Sequence, residues 1–188
     1  LPTLVLTSLF GLDLAGGYLL SQRIAGAPLT AVASSFTQVY MREIAVAARL
    51  SNTRLYPYYL RVTGQTTLIA TALMVPIAFA TPFFGRILGP QWDSVGQITL
   101  ILLPLYFFRF LSSATISTLE VLELNHLRLI REVIILALAV SALVVAYLQG
   151  WTELGTMASL SGFGSLGYCA SIIVVGLVLR RRDARQVR

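Results

Sequence analysis

The sequence predicts an all-α membrane protein, and three observations carry that prediction. Of its 188 residues, 56% are hydrophobic and only 12% charged, about half the ~25% charged fraction of an ordinary soluble domain. Mean hydropathy is +0.79. The apolar residues fall in runs as long as the roughly 20 residues of helix that a bilayer core about 30 Å thick requires. A membrane β-barrel would instead alternate apolar and polar residues in segments of about ten, and these runs are continuous.

Residues 1–10 are apolar but too short to span alone, and they read as the end of a helix. The chain begins at Leu1 inside that run, with no basic stretch before it and no small-residue cleavage site after it. It therefore reads as part of a longer protein and not as one led by a signal peptide. Residues 14–41 predict the first complete span, interrupted only by Arg23. Residues 62–84 predict a second without any charge, and 95–119 a third interrupted only by Arg109. Residues 133–150 and 154–179 predict two more, both free of charge. Pro28, Pro76 and Pro104 fall inside these runs, which membrane helices tolerate because neighbouring groups satisfy the freed carbonyls. The expected architecture is five complete transmembrane helices plus part of a sixth over residues 1–179, then a basic tail at 180–188.

The net charge is +6, and all the basic residues are arginine. If the tail is placed in the cytoplasm, alternation puts Arg42, Arg49, Arg54, Arg61, Arg128, Arg131, Arg180, Arg181, Arg182, Arg185 and Arg188 on the same side, against Arg86 alone outside. That is a positive-inside distribution. It accounts for the basic character without nucleic acid. Trp92 and Trp151 fall at the outer interface, and Tyr56, Tyr58 and Tyr59 at the inner one, as an aromatic belt requires. Residues 42–61 predict a short amphipathic helix along the cytoplasmic surface.

Two arginines lie inside spans. A guanidinium at mid-membrane costs about 2.5–3.5 kcal/mol on insertion scales, so such residues face a bundle interior or a water-filled cavity. Positions −3, +3, +4 and +8 from Arg109 are Tyr106, Ser112, Ser113 and Ser117; positions +7, +11 and +15 from Arg23 are Thr30, Ser34 and Gln38. Each helix thus carries a polar stripe containing its arginine. Two such stripes suggest a cationic cavity whose ligand is an anion such as a phosphate, because the planar guanidinium fork suits phosphate oxygens. The competing reading is structural: Arg109 pairs with a carboxylate or satisfies carbonyls on another helix.

In the last span, Ala158, Gly162 and Ser165 predict a surface on which another helix packs closely, with Cys169 part of it. That lone cysteine excludes an internal disulfide. His126 stands alone in a turn, Glu120, Glu123 and Glu132 are in or beside the same turn and face water, and Asp13 is an isolated acid. No metal set, catalytic constellation or glycine-rich phosphate loop is present, so neither enzyme nor cofactor is predicted.

Two stretches resemble a known family. Residues 11–45, "GLDLAGGYLLSQRIAGAPLTAVASSFTQVYMREIA", have a short turn ending in Gly-Tyr, a helix with Arg, then Pro-Leu and a Gln-Val-aromatic exit. Residues 84–129, "FGRILGPQWDSVGQITLILLPLYFFRFLSSATISTLEVLELNHLRL", have Phe-Gly, a Trp, a Pro-aromatic centre, a Ser-Ser step and a Leu-Glu turn. Both resemble the polysaccharide flippases of the multidrug/oligosaccharidyl-lipid/polysaccharide superfamily. Pro90 and Gln91 stand where that family usually has an acidic pair before the Trp. The resemblance implies a two-lobed transporter, of which this chain is the C-terminal lobe, in a bacterial or archaeal cytoplasmic membrane with its C-terminus inside.

It further implies alternating-access translocation of an undecaprenyl-diphosphate-linked oligosaccharide. The partners implied are that lipid-linked oligosaccharide, membrane lipid and an N-terminal lobe of the same chain. A drug/cation antiporter of the same superfamily is the nearest rival, disfavoured because cationic cargo calls for embedded carboxylates. A scaffold subunit of a polysaccharide assembly complex is the rival from another class.

Overall fold

Within lipid a peptide group has no water to bond, so a chain this apolar must satisfy its backbone inside helices. The computed structural model describes the backbone of residues 2–49, 55–121 and 124–186, and their side chains except at 45–49, 91, 114–115, 117–118, 121 and 185–186. All regular structure among the described residues is helical. It comprises α1 (Pro2–Phe10), α2 (Leu12–Ser21), a π turn (Gln22–Gly26), α3 (Ala27–Arg49), α4 (Leu55–Ala80), α5 (Phe84–Leu88), α6 (Asp93–Val121), α7 (Asn125–Leu148) and α8 (Glu153–Gln186), with short 3-10 turns on either side of α5.

Among the described residues, four stretches are long and apolar enough to cross a membrane: Leu55–Leu88, Asp93–Ser113, Asn125–Leu148 and Glu153–Ala184. They mark a membrane protein and coincide with the spans expected at 62–84, 95–119, 133–150 and 154–179. The span expected at 14–41 is continuous helix from α2 through α3 but is not among the four. Gln22, Arg23, Thr30, Ser34, Ser35 and Gln38 dilute its apolar character. Residues expected as a cut helix at 1–10 form the nine-residue α1.

The π turn has a local cause. Pro28 has no N–H, and its ring would collide with the carbonyl four residues back. The turn ahead of it widens, so that Ala27 N–H donates to the carbonyl of Gln22, five residues back. The wider turn contains Arg23. At the other end of α2, Gly11 adopts φ 89° and reverses the chain from α1.

Helix α6 is central and packs against α2, α3, α4, α7 and α8. One buried cluster joins α1, α2, α3, α4, α6, α7 and α8 around Leu6, Leu14, Leu102, Leu143 and Met157. A second, around Tyr40, Ile44, Tyr59 and Leu179, closes the end where the arginines gather. Large apolar side chains such as Leu68, Phe79, Ile87, Leu129 and Leu148 point outward, as lipid-facing residues do.

Lipid tails are as apolar as leucine, so helices in a bilayer associate through close packing and polar contacts, and small residues set how near they come. The close approaches differ from the expected stripe. Ala158 and Gly162 are exposed, and a Cβ on Gly162 would meet nothing within 4 Å. Helix α8 packs instead through Gly164, where a Cβ would come 2.4 Å from Leu105, and Gly167, where one would come 3.0 Å from Leu138. Small residues occur on more than one face of α8, and only the placement of α6 and α7 selects between them.

The tightest backbone approach is at Gly96, whose added Cβ would lie 2.5 Å from the Thr81 carbonyl oxygen. Gly96→Ala is expected to lower stability by about 1–3 kcal/mol, because backbone cannot move aside as a side-chain tip can. Gly162→Ala should be neutral or stabilising by up to about 1 kcal/mol. Thermal unfolding of the detergent-solubilised protein separates the two, and equal midpoints would refute the packing argument.

The expected surface helix at 42–61 is not formed as a separate element. Residues 42–49 extend α3, 55–61 open α4, and 50–54 lie outside the described residues. The expected tail is also ordered differently: α8 continues through Arg180, Arg181 and Arg182 to Gln186. Its buried Asp183 accepts hydrogen bonds from the backbone N–H groups of Leu55 (3.2 Å) and Tyr56 (2.9 Å). A carboxylate at a helix N-terminus satisfies orphan donors and meets the positive end of the dipole, so α8 caps α4. Tyr59, expected at the interface, is buried and donates to the Ile172 carbonyl at 2.7 Å.

Candidate anion-binding groove

Helices α2, α3 and α6 enclose a groove of about 610 Å³ lined by Leu19, Gln22, Arg23, Gly26, Ala27, Thr30, Ala31, Ser34 and Arg109. Arg23 reaches it from the π turn, and Thr30 and Ser34 line it from the next turns of α3. Arg109 enters from α6. Gly26, Ala27 and Ala31 are small, which keeps this wall open. A recess of about 170 Å³ joins the same wall and adds Tyr106, Phe110 and Ser113 to Thr30 and Arg109. Arg23, Thr30 and Ser34 of one expected stripe and Tyr106, Arg109 and Ser113 of the other thus border one continuous concave surface.

Arg23, Thr30, Ser34, Gln38 and Arg109 are exposed within this chain. Gln38, expected in the cavity, lies on α3 one turn beyond Ser34 and outside the lining of both the groove and the recess. Tyr106 is buried, and its hydroxyl is committed to Ser21 Oγ at 3.2 Å, so it offers the recess its ring. Ser117 lies on α6, and its side chain falls outside the described residues. Ser112, one residue before Ser113, turns away from the groove and pairs with Ser171 Oγ at 3.0 Å.

The groove hydroxyls rest on their own helices. Thr30 Oγ1 donates to the Gly26 carbonyl at 2.7 Å, Ser34 Oγ to Ala31 at 2.8 Å and Ser113 Oγ to Phe110 at 2.6 Å. Each can rotate its proton toward a ligand, because the carbonyl it leaves is already part of the helix ladder. Neither Arg23 nor Arg109 forms an ion pair among the described residues. Two guanidiniums lining one groove repel each other, and an anion between them converts that repulsion into two attractions. Among the described residues, no carboxylate lines the groove.

The sequence reading missed Arg131. The positive-inside pattern places it among the arginines of the cytoplasmic side, yet its side chain is only 12% exposed. Its Nη2 donates to Ser112 Oγ on α6, its guanidinium lies 5.4 Å from the Tyr168 ring centroid on α8, and it pairs with Glu132. Its Nε is buried without a partner. The span expected at 133–150 left Arg131 outside, whereas α7 starts at Asn125 and carries it within its second turn.

Behind the groove lies a chamber of about 320 Å³ whose lining includes Tyr18, Gln22, Arg109, Glu132, Gly164 and Tyr168. Gln22 and Arg109 belong to both walls. No family model, curated protein or solved structure matches the chain.

Proposed function

We propose that this chain is the C-terminal lobe of a transporter that moves an undecaprenyl-diphosphate-linked oligosaccharide from the cytoplasmic to the outer leaflet, its C-terminus in the cytoplasm. The observation that carries the reading is the convergence of Arg23 and Arg109, from two helices, on one groove without a carboxylate. The groove receives the diphosphate. Each guanidinium supplies forked donors to phosphate oxygens, while Thr30 and Ser34 turn their hydroxyl protons toward the same oxygens. The polyprenyl tail stays in lipid against the outward-facing apolar side chains.

Two-sided access follows if the groove is the seam between this lobe and a second one. Rocking about the seam opens the cationic surface first to one leaflet and then to the other. A cation antiporter needs negative charge in its groove, and this groove has none among its lining residues.

The test is made in the protein's own host, comparing wild type with Arg109→Ala and Arg109→Lys at matched protein levels. Surface polysaccharide and the lipid-linked intermediate left in the inner leaflet are both quantified. Alanine should cut export at least about tenfold, the value of one charge-assisted hydrogen bond, and the intermediate should accumulate. Lysine should restore part of it. Equal export by all three sinks the assignment.

A further inference from the structure

We infer that the chamber behind Arg109 is a subsite for the sugar attached directly to the diphosphate, which deepens the function proposed above and rests on it. The groove and the chamber share a partition made by Gln22 and Arg109. A phosphate held on Arg109 therefore has its next substituent at the chamber mouth. At about 320 Å³ the chamber is at the low end of the ~300–1,000 Å³ range of ligand pockets. It has room for one sugar.

The lining chemistry suits a pyranose, which has an apolar C–H face and a rim of hydroxyls. Tyr18 and Tyr168 bring aromatic surface from α2 and α8. Aromatic rings present broad apolar area with a polar tip, which matches the C–H face. Glu132 brings acceptor oxygens from α7. Gln22 is held by donating to Tyr18 Oη at 2.9 Å, an arrangement that directs its amide oxygen as an acceptor for hydroxyl protons.

The wall is built and braced. Arg131 covers one face of the Tyr168 ring at 5.4 Å, ties α7 to Ser112 on α6 and pairs with Glu132. One largely enclosed cation thus orients both the aromatic and the acidic member of the subsite. Its own side chain is not a contact for the sugar; it is a positioning residue. The close approach of Gly164 to Leu105 sets the distance between α6 and α8 across the same chamber.

The experiment titrates two probes into the purified protein: farnesyl diphosphate, and farnesyl diphosphate carrying one N-acetylglucosamine. Wild type should bind the sugar-bearing lipid more tightly. Glu132→Gln and Tyr168→Leu should each reduce that preference about tenfold, the value of one hydrogen bond to a charged group or of one aromatic contact. Binding of plain farnesyl diphosphate should be unchanged, or tighter in Glu132→Gln because a negative charge near Arg109 is gone.

Equal affinity of wild type for the two probes, or a preference that survives both substitutions, overturns the subsite and leaves the diphosphate groove standing. Loss of both probes together in either variant shows a purely structural role and also overturns it. Failure of wild type to bind either lipid brings down the proposed function and the subsite with it.

Discussion

Replacing both Arg23 and Arg109 with alanine is expected to abolish measurable binding of a lipid diphosphate, and the two losses should not add. Each guanidinium is worth about 1.5–3 kcal/mol as a charge-assisted donor, or roughly 10- to 150-fold in affinity at about 1.4 kcal/mol per tenfold. Both side chains line one groove, so they act on the same anion. Removing one lets that anion shift toward the other, and the second loss depends on the first. A double-mutant cycle reads this as a coupling energy of about 0.5–3 kcal/mol, with farnesyl diphosphate as the titrant. Salt supplies a control: the groove is exposed, so rising ionic strength should weaken wild type more than the double variant. Strict additivity, with equal salt dependence, would mean that the arginines serve different ligands or none.

Arg131 presents the opposite situation, a largely enclosed cation held by Ser112, Glu132 and the Tyr168 ring, with its Nε left without a hydrogen bond among the described residues. Arg131→Ala is expected to destabilise the protein by about 2–4 kcal/mol, in the range of large-to-small core changes. It removes the donor to Ser112 and the contact with Tyr168 and leaves a void between α6, α7 and α8. Arg131→Met should stay within about 1 kcal/mol of wild type. Methionine fills the space with a flexible apolar chain and escapes the desolvation penalty that a buried charge carries, which is of the same order as its attractions. Thermal midpoints in detergent decide between them. If methionine costs as much as alanine, the charge itself joins the three helices.

Much of this architecture can be read along the chain. Helix was the only regular structure that runs of this length and continuity permit in lipid, and four of the spans appear where the long apolar runs lie, three of them free of charge and one interrupted by Arg109. The polar stripe on α3 was legible because Thr30 and Ser34 recur at helical spacing from Arg23, and the groove contains both. Ser112 shows the limit of that method. It sits next to Ser113 and within the tolerance of the same stripe, yet it faces α7 and α8.

Neighbouring helices also decided what periodicity left open. Glycines on α8 occur on several faces, and Gly164, not Gly162, meets α6. Arg131 looked like one more arginine near a turn until α6 and α8 closed over it. Asp183 looked like part of a polar tail until its carboxylate met the first N–H groups of α4.

By itself, then, the sequence determined the helical class, the approximate spans, the gathering of arginine near helix ends and the two cationic stripes. These are properties of one segment at a time, set by hydropathy, by charge and by the 3.6-residue repeat. The tertiary structure alone decided that the stripes meet, that Arg109 also walls a second chamber, and that Arg131 is enclosed. Each of those depends on pairs of residues far apart in the chain, brought together by how closely helices can approach where glycine leaves room and by where a buried polar group finds its partner.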